Sequence, residues 1–117
     1  MITIRQFHFT RFTSSLLWQI YRKHKMSNYI LSYDLNGDNP SHEQMDEHLQ
    51  KLGVAVGRVL ETVWYVGYSG TLAQLRDYVK KILSSDDLLL VVEADEATWT
   101  KLLVSSDSLK TAWSGNR

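Results

Sequence analysis

The chain has 117 residues with one proline, six glycines and no cysteine. That is room for one domain with one core, and it excludes a disulfide scaffold, a thiolate metal site and a cysteine nucleophile. Net charge is zero, with thirteen basic and thirteen acidic side chains, and no apolar run approaches the ~20 residues of a membrane span, so a cytoplasmic protein without a membrane partner is expected.

The charge is unevenly placed. Residues 1–25 carry Arg5, Arg11, Arg22, Lys23 and Lys25 and no acid, which leaves residues 26–117 net acidic. Arg-containing, Ser/Thr-rich and acid-free, the first segment has the composition of a transit peptide. Thr13 is placed to cap a helix over 14–25, with Leu16, Leu17, Ile20 and Tyr21 on one face and cations at its C-terminal end. Three readings stand: a translated leader ahead of a true start at Met26, a basic arm for nucleic acid, or a membrane-surface helix. Residues 26–117 are read as one domain, with a C-terminal tail from about residue 94.

The stretch from Asn28 to Leu35 reads as the first strand, with Val, Ile, Leu and Tyr character. Asn36-Gly37-Asp38-Asn39-Pro40 breaks it. At the join stands Asp34, either a metal ligand held at the mouth of a strand or a turn cap bonding the amide of Asn36 or Gly37. Asp38 is a candidate second carboxylate. Ser41 and Gln44 have capping-box spacing for a helix over about 41–52, with Met45, Leu49 and Leu52 as its apolar stripe and Gly53 at its end. His42 and His48 lie six apart, not at the i, i+4 spacing of helical metal ligands, and read as surface residues.

Residues 54–68 are too long for one strand and predict two, about 54–60 and 62–68, with a turn near Leu60–Thr62. Thr62, Trp64 and Val66 fall on one face, Val63, Tyr65 and Gly67 on the other. Arg58 is the one cation in these strands, a phosphate contact or a partner of Glu61. Thr71 and Gln74 repeat the capping box for a helix over about 71–83, with Leu72, Leu75, Val79 and Ile82 on its apolar face. Asp86 and Asp87 read as capping or solvated acids. Leu88–Val92 is a continuous apolar run, expected as a strand buried on both faces. A short helix over 95–103 would put Trp99, Leu102 and Leu103 on one side, and Leu109–Trp113 is a last helical turn.

The order β-α-β-β-α-β predicts an α+β fold of ferredoxin-like type: a four-stranded antiparallel sheet with both helices on one face. If Leu31 and Tyr33 face the helices, then Ile30, Ser32 and Asp34 lie on the open face, which a second copy of the chain would cover. No Gly-rich phosphate loop or nucleophile elbow is present, and no small-molecule cofactor is expected.

Residues 28–93 resemble the small CRISPR-associated endonuclease family, the second core protein of those systems, and the virulence-associated protein D ribonucleases. The carriers are Tyr33-Asp34-Leu35, Leu52-Gly53, Arg58-Val59, Thr62-Val63-Trp64, the helix from Thr71, and Asp86-Asp87. Ser32–Asn36, Leu60–Trp64, Trp99 and Trp113 are similar to the stand-alone SinR-family relatives. The resemblance implies a ferredoxin-like homodimer in which Asp34 from each copy holds one divalent metal, Mg²⁺ or Mn²⁺, and serves catalysis on RNA or DNA phosphodiesters. It places Arg58 and Thr62 at the nucleic acid. Leu60 and Thr62 replace a Gln and a Ser of the family pattern, and the acidic domain lacks the basic surface of nucleic-acid scaffolds. The expected function is a metal-dependent endonuclease, active or decayed; the alternative is a non-enzymatic dimeric adaptor for nucleic acid or protein.

Overall fold

The computed structural model describes residues 26–52 and 55–115. The readings for residues 1–25 and for Gly53 lie outside them. The elements run β1 (Ser27–Asp34), α1 (His42–Gln50), β2 (Ala55–Leu60), β3 (Val63–Tyr68), α2 (Leu72–Lys80), β4 (Leu88–Glu93) and α3 (Ser106–Gly115). The fold is α+β, with a four-stranded antiparallel sheet in the order β2-β3-β1-β4.

Both capping boxes form. The Ser41 and Thr71 hydroxyls accept the amides of Gln44 and Gln74, and each glutamine side chain accepts its cap residue's own amide. Two of the four amides that a helix start leaves unpaired are thereby satisfied, and alanine at such a cap costs about 1 kcal/mol. Strands β2 and β3 meet across Glu61 and Thr62, with a register shift between Arg58 and Leu60.

The sheet is packed on both sides. Tyr29, Leu31 and Tyr33 of β1 and Trp64 and Val66 of β3 point to one face, where Met45 and Leu49 of α1 and Leu75 and Val79 of α2 meet them. Fully burying one such side chain is worth about 1.5–3 kcal/mol. The other face holds Ala55, Val59 and Tyr65 against Leu109, Ala112 and Trp113 of α3, with Trp99 and Leu102 packed alongside. Asn28 ties this second core together: its Nδ2 donates to the Trp113 carbonyl at 3.1 Å, and its Oδ1 accepts from the Tyr65 hydroxyl at 2.6 Å.

Four expectations need correction. Residues 95–103 form no helix; they cross the sheet as an irregular strap, its Leu103 amide bonding the Val59 carbonyl of β2 at 2.9 Å, and Leu103 itself stays exposed. Leu72 is also exposed, because the α2 stripe that packs starts one turn later, at Leu75. The strap and α3 cover in cis part of the face assigned to a second copy. Last, β4 is not buried on both faces. It is an edge strand, and Leu88, Leu90 and Val92 are 59%, 62% and 42% exposed, while Leu89 and Val91 face the helices. A continuous apolar run is compatible with either placement.

Candidate functional site

Asp34 is the last residue of β1, a strand bonded on both sides, to β3 and to β4. Period-two alternation from the buried Tyr33 turns it to the face opposite α1 and α2, where it is exposed. Its cross-strand neighbour is Leu88. Among the described residues its carboxylate makes no hydrogen bond or ion pair.

The turn that follows is capped by a different acid. Asp87 Oδ1 accepts the amides of Asn36 at 2.7 Å and Gly37 at 3.1 Å, and its Oδ2 accepts the amide of Ser84 at 2.8 Å. The Asn36 side chain adds a bond to the Asp86 carbonyl at 3.0 Å. Asp34 is therefore not the turn cap. The Ser84 amide is the main cause holding the Asp87 carboxyl below its ordinary range; slight desolvation opposes it, and the Asn36 and Gly37 amides reinforce it. The two loops pack so closely that a Cβ on Gly37 would come within 2.4 Å of Ser84 Oγ. The result is a strand end fixed by its neighbours, with its own carboxylate left unused.

Thr62 lies beside this strand end, its carbonyl accepting the Tyr33 amide at 3.2 Å. Arg58 does not. It pairs in register with Trp64 and so faces α1, where its guanidinium meets Asp46 Oδ2 at 3.7 Å. The structure thus puts Asp34 and Arg58 on opposite faces of the sheet, and the partner of Arg58 is Asp46 rather than Glu61. Near Arg58 the Tyr33 hydroxyl accepts from Trp64 Nε1 at 3.2 Å. Burial, more than any neighbour, pushes the Tyr33 phenol up.

Asp38 is exposed in the turn and His42 is exposed at the start of α1, its ring 6.4 Å from that of Tyr33. His48, read as a surface residue, is half-buried between the helices. Among the described residues no three His, Asp or Glu side chains gather as a metal cluster, and no helix is long and apolar enough to cross a membrane. Asp34 is an unpartnered carboxylate at a fixed strand end, which fits a Mg²⁺-type site whose other ligands are water and a second carboxylate from elsewhere. Asp87, read from the sequence as a capping or solvated acid, is a cap. Its position just before an apolar run marks it as a turn residue, but nothing local shows that the amides it serves lie at Asn36 and Gly37. Compared with known proteins, the chain matches no family model, no curated protein and no solved structure.

Proposed function

We propose that this chain is a ferredoxin-like, homodimeric, divalent-metal-dependent nuclease in which Asp34 of two copies meets across a two-fold axis. The observation that carries the reading is the free carboxylate of Asp34. It ends a central strand bonded on both sides, it is exposed, and the capping task open to it is done by Asp87. A carboxylate held in place and left without a partner is what a hard cation recruits. The uncovered part of its face, with Leu88, Leu90 and Val92, is the place for the second copy. A bound Mg²⁺ or Mn²⁺ would supply charge stabilisation for a phosphodiester and an activated water. The residues of this chain position that chemistry: Asp87 fixes the turn behind the carboxylate, and Thr62 holds the backbone one residue before it.

A second reading, a dimeric adaptor without catalysis, draws on Arg58. Its charge is engaged by Asp46 on the far face, which leaves the Asp34 face without that cation for a phosphate backbone. One experiment separates the two. Full-length protein is incubated with labelled RNA and duplex DNA in Mg²⁺ or Mn²⁺, beside Asp34→Asn and a chelator control. The nuclease reading expects cleavage that both Asp34→Asn and the chelator abolish. Cleavage that survives Asp34→Asn, or none at all from a protein that sediments as a dimer, overturns it and leaves the adaptor.

A further inference from the structure

The two edges of the sheet are treated differently. On β2 the strap bonds Val59, the register is broken between Arg58 and Leu60, and a cation stands in the strand. Such devices stop another strand from adding. On β4 none is present. Residues 88–92 carry no charge and no proline, and among the described residues nothing pairs with the outer edge. Beside that edge, between β4 and α2, lies a cavity of about 350 Å³. Leu83 and Leu89 supply its apolar lining, and Arg76, Lys80 and Ser85 supply polar groups. Its one acid, Asp87, is already bonded by the amides of Ser84, Asn36 and Gly37. On the opposite side of the same strand, Leu88, Leu90 and Val92 are exposed.

An open row of backbone amides and carbonyls is recognised by another backbone. A groove along it takes every second side chain of the added strand. We propose that the β4 edge and the α2–β4 groove bind an extended peptide segment of another protein, with apolar and acidic residues in alternation, as a fifth strand. Its apolar residues continue the Leu88, Leu90 and Val92 strip. Its acidic residues lie over Leu89 with their carboxylates at Lys80 and at Arg76, whose exposed pairing with its neighbour Asp77 at 3.0 Å they would displace. This goes beyond the Asp34 reading and does not depend on it.

Charge argues against the other occupants. Two-fold pairing of β4 with itself about Leu90 would set Asp87 opposite Glu93 and bring Arg76 and Lys80 of both copies to one side of the seam. Residues 1–25 contain no acid to meet Lys80.

The test is fluorescence anisotropy of the full chain with labelled peptides of four Val-Glu repeats or four Val-Lys repeats. A third peptide is the Val-Glu sequence N-methylated at alternate residues along its pairing edge. The Val-Glu peptide should bind, with the other two at least about tenfold weaker, as expected where main-chain bonds give affinity and side chains give specificity. Lys80→Glu combined with Arg76→Glu, both at exposed positions, should invert the preference toward Val-Lys while the circular dichroism stays unchanged. Equal binding of the N-methylated peptide overturns the proposal, as does a charge preference that survives the double substitution. So does an absence of binding, or sedimentation showing that the peptide displaces a second copy of the chain.

Discussion

The imidazole of His48 lies flat on the ring of Tyr78, with centroids 4.2 Å apart and planes 5° from parallel. Each residue bonds the other's main chain: Nε2–H of His48 donates to the Tyr78 carbonyl at 2.6 Å, and the Tyr78 hydroxyl donates to the His48 carbonyl at 2.7 Å. Both carbonyls belong to the last turn of their helix, where amides run short; the Tyr78 carbonyl also accepts the Lys81 amide at 3.3 Å. The two helices therefore cap one another's C-terminal ends with side chains, and the bond fixes the Nε2–H form of the neutral ring. Tyr78→Phe keeps the stack and loses one bond, which should cost about 1 kcal/mol. His48→Ala loses a bond and the stack and should cost about 1–2.5 kcal/mol. Urea melts of His48→Ala, Tyr78→Ala and the double should show a deficit smaller than the sum, because either single change already removes the stack. Additive losses would mean that the stack contributes nothing.

The Asp87 bridge sets the acid limb. Its folded-state carboxyl lies below the ordinary 3.8. A depressed value means that its stabilisation is present above the unfolded-state value and is lost as pH falls through the folded one. Asp87→Ala should lower the melting temperature at neutral pH, and the gap to wild type should close progressively below pH 3.8. A gap that is constant down to the folded-state titration would assign the loss to packing rather than charge.

At the alkaline end, burial pushes the phenols of Tyr29, Tyr33 and Tyr78 above 10.0. A raised folded-state value gives stability that is full below the unfolded-state value and lost as pH rises through the folded one. Absorbance at the tyrosinate band should therefore show these residues titrating late, together with loss of the fold as the pH climbs beyond 10.0. Early, reversible titration of all six tyrosines in folded protein would contradict the burial of β1.

Asn28 is the polar residue at the centre of the second core. Asn28→Ala removes the partner of the Trp113 carbonyl and one partner of the Tyr65 hydroxyl. A buried group deprived of its bond costs about 1–3 kcal/mol. Thermal melts should show a loss of that size, with the Trp113 environment altered in near-ultraviolet circular dichroism. A neutral outcome would place water in this core.

What was legible in the sequence was local. Ser41 with Gln44 and Thr71 with Gln74 announce two helix starts because a capping box is contained in four consecutive residues. Alternation through Val63–Gly67 assigns both faces of β3 correctly because side chains in a strand have period two. What was not legible depends on neighbours far along the chain. Leu88–Val92 reads the same whether the strand is central or at an edge. Asp87 acts on amides that are distant in sequence, and that action decides whether Asp34 is a cap or a free carboxylate. The strap over 95–103 has Trp99, Leu102 and Leu103 at helical spacing, yet it takes its course from Val59 and Trp113, whose indole donates to the Asp95 carbonyl at 2.9 Å.

The first strand of the domain is an interior strand of the sheet. Tyr29 pairs with Val66 on one side and with Glu93 on the other, so β1 gains its partners only after most of the remaining chain has been made. Among the described residues only β2 and β3 are joined by a tight turn, which makes that hairpin the natural place for ordering to begin. Every other pairing closes a long loop before it returns any contact energy. A chain wired this way folds more slowly than one of its size built from local contacts. The exposed Leu88–Val92 run then passes through a period with neither of its edges satisfied, when collision with another nascent copy competes with docking onto β1.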